Sequence, residues 1–184
     1  MLKWFRQGLS PFQTALAMVG AKSGDQVVVV GAGDAELAAQ LALVTGLNGQ
    51  TTVIDREGAR PRVEAAAGHA GALVEFTAAP PSALLVPPGT VDVLVLTVGL
   101  GSLVPDERPR ALAEAMRVLR PGGRTVVIEG LAARPSSAPE TAGIEGEAVL
   151  ALLTAAGGRA VRTLATVSGR TYYEARKPRD TEPG

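Results

Sequence analysis

A glycine-rich turn is the first feature of the sequence that could bind a ligand. Gly31-Ala32-Gly33 follows the apolar segment 26–30 and precedes a helical pattern that begins at Asp34. Glycine lets the backbone approach a ligand closely, and a helix N-terminus favours a phosphate or a carboxylate. Glu36 occupies the sixth position, where a dinucleotide fingerprint has Gly or Ala, and the Gly-Lys-Ser/Thr of a P-loop is absent. A tight strand-to-helix turn without a ligand is the alternative interpretation.

An acidic residue, Asp55, ends the next β-branched segment. It lies 24 residues after Gly31. This is close to the interval of about 20 residues at which a carboxylate meets a ribose in dinucleotide-binding sheets. Residue type and position therefore predict hydrogen bonds from ribose hydroxyls to Asp55. The alternatives are a helix N-cap and a salt bridge with the neighbouring Arg56.

Aromatic residues make up only 3% of the chain and are candidates for a pocket or for the core. Trp4, Phe5 and Phe12 are expected to cover exposed core or a partner. Tyr172 and Tyr173 are neighbours in a strand pattern, so their side chains point to opposite faces. We therefore expect at most one of the two tyrosines to be buried.

Composition and charge exclude several classes of function. The chain has 184 residues, which predicts one domain over 1–184. Lys+Arg and Asp+Glu both number 18, which argues against a nucleic-acid or anionic-membrane partner. Without cysteine and with one histidine, the chain offers no thiolate catalysis, disulfide or Cys/His metal site. No apolar stretch predicts a membrane span or a secretory signal. We expect a cytoplasmic protein without a metal, and a homo-oligomer stays open.

Apolar β-branched runs alternate with Ala- and Leu-rich helical patterns along the chain. Strands are predicted over 26–30, 51–55, 72–77, 91–97 and 124–129, followed by an antiparallel hairpin of 160–166 and 171–175. Helices are predicted over 34–44, 58–68, 105–119 and 144–156, with loops over 78–90 and 132–143. The alternation predicts an α/β domain with a mostly parallel sheet, in which ligands bind beyond the carboxyl ends of the strands.

The segment around residue 120 resembles a known family. Arg117 to Arg124 reads RVLRPGGR, a helix end and a proline stop with glycines that turn into a strand. Together with Gly24-Asp25-Gln26-Val27 before the glycine turn, it resembles the class I S-adenosylmethionine-dependent methyltransferases. The resemblance extends from about Phe12 to Lys177. It implies that family's Rossmann-like fold, with a mostly parallel seven-stranded sheet and a C-terminal antiparallel hairpin.

The resemblance also implies a cofactor, S-adenosyl-L-methionine, and roles for residues of its site. Gly31, Ala32 and Gly33 would pack against the methionine part of the cofactor. Asp55 would accept hydrogen bonds from the ribose hydroxyls, and Arg56 would lie along the adenine.

The sequence departs from the family at the ends of the third and fourth strands. An acidic residue normally follows the third strand and holds the adenine amino group, where this chain has Ala79. Thr97, Val98 and Gly99 would face the sulfonium methyl group, but residues 98–101 offer no acid or base. The resemblance therefore assigns no catalytic side chain.

These departures leave two functions open. The first is a methyltransferase for an unassigned small-molecule or protein acceptor, with in-line transfer that depends mainly on alignment. The second is a non-catalytic binding or assembly module on the same fold, in which loop 78–90 or the N-terminal aromatic residues contact a partner. A nicotinamide-dependent oxidoreductase is disfavoured by Glu36 and by the terminal hairpin.

Overall fold

A seven-stranded sheet organises the part of the chain that the computed structural model describes, residues 11–130 and 144–179, with the backbone alone for residues 11 and 12. The strand order is β3-β2-β1-β4-β5-β7-β6, and β7 alone runs antiparallel to its neighbours. The strands are β1 (Gln26–Val30), β2 (Gln50–Asp55), β3 (Glu75–Ala78), β4 (Val91–Leu96), β5 (Leu119–Glu129), β6 (Arg159–Val167) and β7 (Arg170–Arg176). The mostly parallel sheet with a C-terminal antiparallel hairpin is confirmed.

Helices cover both faces of this sheet. Leu37 and Val63 are buried on one face, and Leu112 and Leu153 on the other. Burial on both faces explains why the central strands are runs of valine and leucine rather than alternating patterns. The first face carries α1 (Pro11–Val19), α2 (Ala35–Thr45) and α3 (Arg60–Ala70), and the second carries α4 (Glu107–Val118) and α5 (Gly146–Ala155). Helix α1 lies outside the elements predicted from the sequence.

Two strands begin more than one residue away from their predicted starts. Strand β3 begins at Glu75 instead of residue 72, because Gly71 ends α3 in a left-handed conformation and the Ala72 N–H still bonds to the helix. Strand β5 begins five residues before the predicted Arg124, since Leu119 already pairs with Val91. The predicted turn from helix to strand is therefore an irregularity within a paired strand.

The prediction that at most one of Tyr172 and Tyr173 is buried is wrong. Their exposed fractions are 1% and 6%, and they pack in the apolar clusters on opposite faces of the sheet. The two side chains do point in opposite directions, as a strand requires. Both are covered because β7 lies inside the sheet, between β5 and β6, where helices pack on either side.

Segment 79–90 connects β3 to β4 without a helix or strand, as the proline-rich sequence predicts. Two residues of α4 hold this loop. The Glu114 carboxylate accepts the Leu84 N–H at 2.8 Å, while Arg117 donates to the carbonyl oxygens of Leu84 and Val86 at 2.9 Å. The loop is therefore fastened to the fold through its backbone.

Some predictions fall outside the described residues. These include the loop over 132–143, the residues Trp4 and Phe5, and the side chain of Phe12. Within the described ranges, none of the helices combines the length and the apolar character that crossing a bilayer requires.

Candidate functional site

The glycine turn lies where β1 ends, packed against the end of β4. Gly31 has a φ of +97°, and a Cβ on it would lie 2.7 Å from the backbone nitrogen of Val98. The buried Thr97 hydroxyl donates to the carbonyl oxygens of Val30, at 3.1 Å, and Gly31. Glycine is therefore required at position 31 by both conformation and space. The structure brings Gly31, Thr97 and Val98 together.

The second glycine of the turn has a different environment. Gly33 is exposed, and the nearest atom to a Cβ built on it is the Thr97 carbonyl oxygen at 3.7 Å. The next residue, Asp34, caps α2 by accepting the Leu37 N–H at 3.1 Å, and its other oxygen pairs with Arg170 at 3.0 Å. The fold itself therefore does not need a glycine at position 33, since a Cβ there would make only an ordinary contact.

Asp55, at the end of β2, reaches the glycine turn directly. One carboxylate oxygen accepts the Ala32 N–H at 2.7 Å, and the other accepts the backbone N–H of Arg56 at 2.7 Å. Of the alternatives for Asp55, the contact with Arg56 is made through the backbone rather than as a salt bridge. Each carboxylate oxygen has a second acceptor position. Asp55 can therefore hold the turn and still accept hydrogen bonds from a ligand.

The end of β3 borders Asp55 without a charged side chain. The Ala79 N–H donates to the Asp55 carbonyl oxygen at 3.1 Å, which places Ala79 beside the site. Its side chain is 9% exposed and packs in the same apolar cluster as Leu84. Arg56, the next residue after Asp55, is exposed. This part of the site can therefore offer apolar packing, backbone groups and one guanidinium.

A carboxylate missed by the sequence analysis lies at the end of β5. Glu129 accepts the Leu100 N–H at 2.5 Å and the Gly101 N–H at 3.4 Å. Burial raises the pKa of the Glu129 carboxyl, and the two backbone N–H groups oppose that rise. Residues 98–101 themselves carry no acidic or basic side chain, and the carboxylate beside them belongs to Glu129 on the neighbouring strand β5. The sequence did offer a signal for this carboxylate, because Glu129 is the last residue of the predicted strand 124–129 and ligands bind beyond the carboxyl ends of such strands.

Comparison with known proteins gives a consistent family. A model of the methyltransferase domain matches residues 27–123, just over half of the chain. The ubiquinone/menaquinone biosynthesis C-methyltransferase UbiE of Pseudomonas fluorescens (strain SBW25) is 28% identical over 121 residues, which cover 62% of this chain and 45% of that protein. The chain thus spans just under half the length of this curated relative.

Solved structures share the architecture over most of the chain. A SAM dependent methyltransferase from Aquifex aeolicus has a TM-score of 0.74 and 22% identity, covering 91% of this chain and 90% of that one. The [4+2]-cyclase SpnF has a TM-score of 0.69 and 20% identity, covering 96% and 86%. At these identities the likeness shows the fold alone, and the cyclase shows that the fold supports more than one reaction.

Proposed function

The chain belongs to the class I S-adenosylmethionine-dependent methyltransferase family, and from that premise we propose that it binds S-adenosylmethionine and transfers its methyl group to an acceptor. The observation that carries the proposal is the hydrogen bond from the Ala32 N–H to Asp55, which joins the ends of β1 and β2 into one site. The acceptor, whether a small molecule or a protein, is unassigned. The curated relative is more than twice as long as the segment that matches this chain, so its name does not assign an acceptor here.

The described residues fit the cofactor at this edge of the sheet. Asp55 has free acceptor positions for two ribose hydroxyls, because each oxygen uses only one for a backbone N–H. Gly33 is exposed just before the N-terminus of α2, where the methionine part would lie against its backbone. Arg56 is free of close packing and can lie along the adenine. Ala79 adds an apolar contact in place of the family's carboxylate.

Alignment is the main contribution that these residues make to the reaction. When bound, S-adenosylmethionine supplies an electrophilic methyl group on a cationic sulfur. Thr97 ties the end of β4 to Gly31, so the backbone at Val98 and Gly99 is held as a fixed wall of the site. Holding two reactants in line lowers the entropic part of the barrier. An acceptor that is already a good nucleophile then needs no general base from the chain.

A non-catalytic binding module is the second candidate function. Ala79 favours it, because the described site lacks the carboxylate that would hold the adenine amino group. The cyclase with the same architecture also shows that the fold alone does not decide the reaction. Thermal unfolding with S-adenosylhomocysteine separates the candidates at the level of binding. No rise in melting temperature at millimolar ligand would favour a module that has lost the cofactor site.

Transfer of a labelled methyl group tests the activity. The full chain is incubated with methyl-labelled S-adenosylmethionine and with separate small-molecule and protein fractions of a cell extract. Asp55→Asn is the comparison variant: its amide oxygen can still accept the Ala32 N–H, whereas its NH₂ group can accept neither the Arg56 N–H nor a ribose hydroxyl. We expect label in one fraction with the wild type and a large loss with the variant. Cofactor binding without transfer to either fraction would contradict the activity.

Location and assembly stay predictions. The cytoplasmic location is inferred from composition. A homo-oligomer stays open, because no partner chain is present against the described residues. Size-exclusion chromatography with light scattering on the full chain checks the assembly state directly.

A further inference from the structure

The Glu129 carboxylate organises the turn that follows β4. Its two oxygens accept successive N–H groups, from Leu100 and Gly101, at the start of the short turn Leu100–Ser102. A Cβ built on Gly99 would lie 3.3 Å from one of these oxygens. Gly99 has a φ of +67°, so its backbone conformation favours glycine. The carboxylate therefore touches the backbone segment that the proposed function places beside the reacting methyl group.

The negative charge of Glu129 has no close counter-charge. Among residues 11–130 and 144–179, no arginine or lysine nitrogen lies within 4.0 Å of its oxygens. Arg108 attracts it from a longer distance, while the Arg108 Nε donates to the Leu103 carbonyl oxygen at 3.1 Å. The carboxylate is also half-buried, so water screens it incompletely. Its charge is therefore available to a cation that enters the site.

We infer that Glu129 is a positioning residue that also makes the site selective for a cationic ligand, favouring the sulfonium of S-adenosylmethionine over the neutral thioether of S-adenosylhomocysteine. The inference rests on the proposed function, because it needs the cofactor at this edge of the sheet. A purely structural Glu129 would hold the turn and affect both ligands equally. Selectivity between two ligands that differ by one methyl group and one charge separates these roles.

Calorimetric titration of the full chain with each ligand tests the inference. In Glu129→Gln the amide oxygen can still accept the Leu100 N–H, while the negative charge and the long bond from the Gly101 N–H are lost; the lost backbone bond should affect both ligands alike. We expect the affinity for S-adenosylmethionine to fall about five- to tenfold, while the affinity for S-adenosylhomocysteine changes less than about twofold. Glu107→Gln is the matched control, because it removes one carboxylate from the first turn of α4 without releasing Leu100 or Gly101. It should leave the ratio of the two affinities unchanged.

The outcomes distinguish this inference from the proposed function. If the folded wild type binds neither ligand, the proposed function fails, and the inference fails with it. If the wild type binds both but Glu129→Gln weakens them equally or changes neither, the proposed function stands and the inference is overturned. The Glu129→Ala variant gives a further check, since it loses both backbone acceptors and should weaken both ligands.

Discussion

Two glycines of one turn illustrate how a residue can serve either the fold or a ligand. Gly31 has a positive φ and lies against the backbone of Val98, whereas a Cβ on the exposed Gly33 would make only an ordinary contact, 3.7 Å from the Thr97 carbonyl oxygen. Gly31→Ala should therefore lower the free energy of unfolding by about 2 kcal/mol or more. Gly33→Ala should leave stability within about 1 kcal/mol of the wild type, yet weaken S-adenosylhomocysteine at least about tenfold. Chemical denaturation and calorimetry measure the two effects.

The contrast between these variants is what the proposed site requires. If Gly33→Ala bound the ligand as well as the wild type, the methionine part would not lie at this turn. If Gly31→Ala were as stable as the wild type, the close approach to Val98 would be wrong.

Ala79 is one of the positions at which this chain departs from its family's usual site. A carboxylate here would accept from the adenine amino group, and a bond to a charged partner is worth about 1.5–3 kcal/mol. Ala79→Asp should therefore bind S-adenosylhomocysteine about tenfold more tightly. It should also unfold at a lower temperature, because the Ala79 side chain is 9% exposed within an apolar cluster. Calorimetry and thermal unfolding report the two quantities.

The exposed Ala78 provides the control for this change. It ends β3 one residue earlier, so Ala78→Asp adds the same charge on the other side of the strand. An equal gain from both variants would point to a general charge effect, and no gain from Ala79→Asp would show that the adenine lies elsewhere.

At the scale of elements, α4 holds the connection between β3 and β4 through one ion pair. Arg117 donates to Glu114 at 2.7 Å, and this bond holds the pKa of the Glu114 carboxyl below its usual range, helped by the Leu84 N–H. Because the pKa of Glu114 is lower in the folded protein, its charged form stabilises the fold. This stabilisation is fully present above the ordinary pKa of about 4.3 and is lost as the pH falls through the folded value. Glu114→Gln should therefore cost about 1 kcal/mol at pH 7 and less at pH 3.

An ion pair with the same spacing, between the short turn Glu57–Ala59 and the first residue of α3, is the matched control. Glu57 and Arg60 are also three residues apart, with 2.5 Å between their atoms, but they are exposed and hold no loop. Glu57→Gln should change stability little at either pH. Urea denaturation of both variants at pH 7 and pH 3 gives the comparison. A cost at Glu114 that did not shrink at low pH would mean that the carboxylate charge is not what holds the loop.

The predictability of the elements varied with their local signals. The valine runs of β1 and β4 predict buried parallel strands because both of their faces must be apolar. The extra length of β5 was not predictable in the same way, since Pro121 and two glycines are typical of a turn and the pairing of Leu119 with Val91 is a long-range contact. Tyr172 was misjudged because a local pattern does not show whether a strand lies inside a sheet or at its edge.

At the scale of the whole molecule, the sheet order decides which residues meet. Gly31 follows β1 and Asp55 ends the neighbouring strand β2, and the parallel pairing of these strands allows the bond from the Ala32 N–H to Asp55. Glu129 ends a strand that follows β4 by more than twenty residues, and only the pairing of β4 with β5 brings it to the Leu100 turn. The link between Asp34 and Arg170, 136 residues apart, likewise depends on the position of the hairpin.

Calorimetric titration of the full chain with S-adenosylhomocysteine, in the wild type and in Asp55→Asn, tests the central claim most directly. The site predicts saturable binding of the wild type with micromolar or weaker affinity, because Ala79 offers no carboxylate to the adenine. It predicts at least about tenfold weaker binding by a folded Asp55→Asn, with a somewhat lower melting temperature because the Arg56 N–H loses its acceptor. A folded wild type that shows no binding at millimolar ligand, or a variant that binds as tightly as the wild type, would contradict a cofactor site at Gly31 and Asp55.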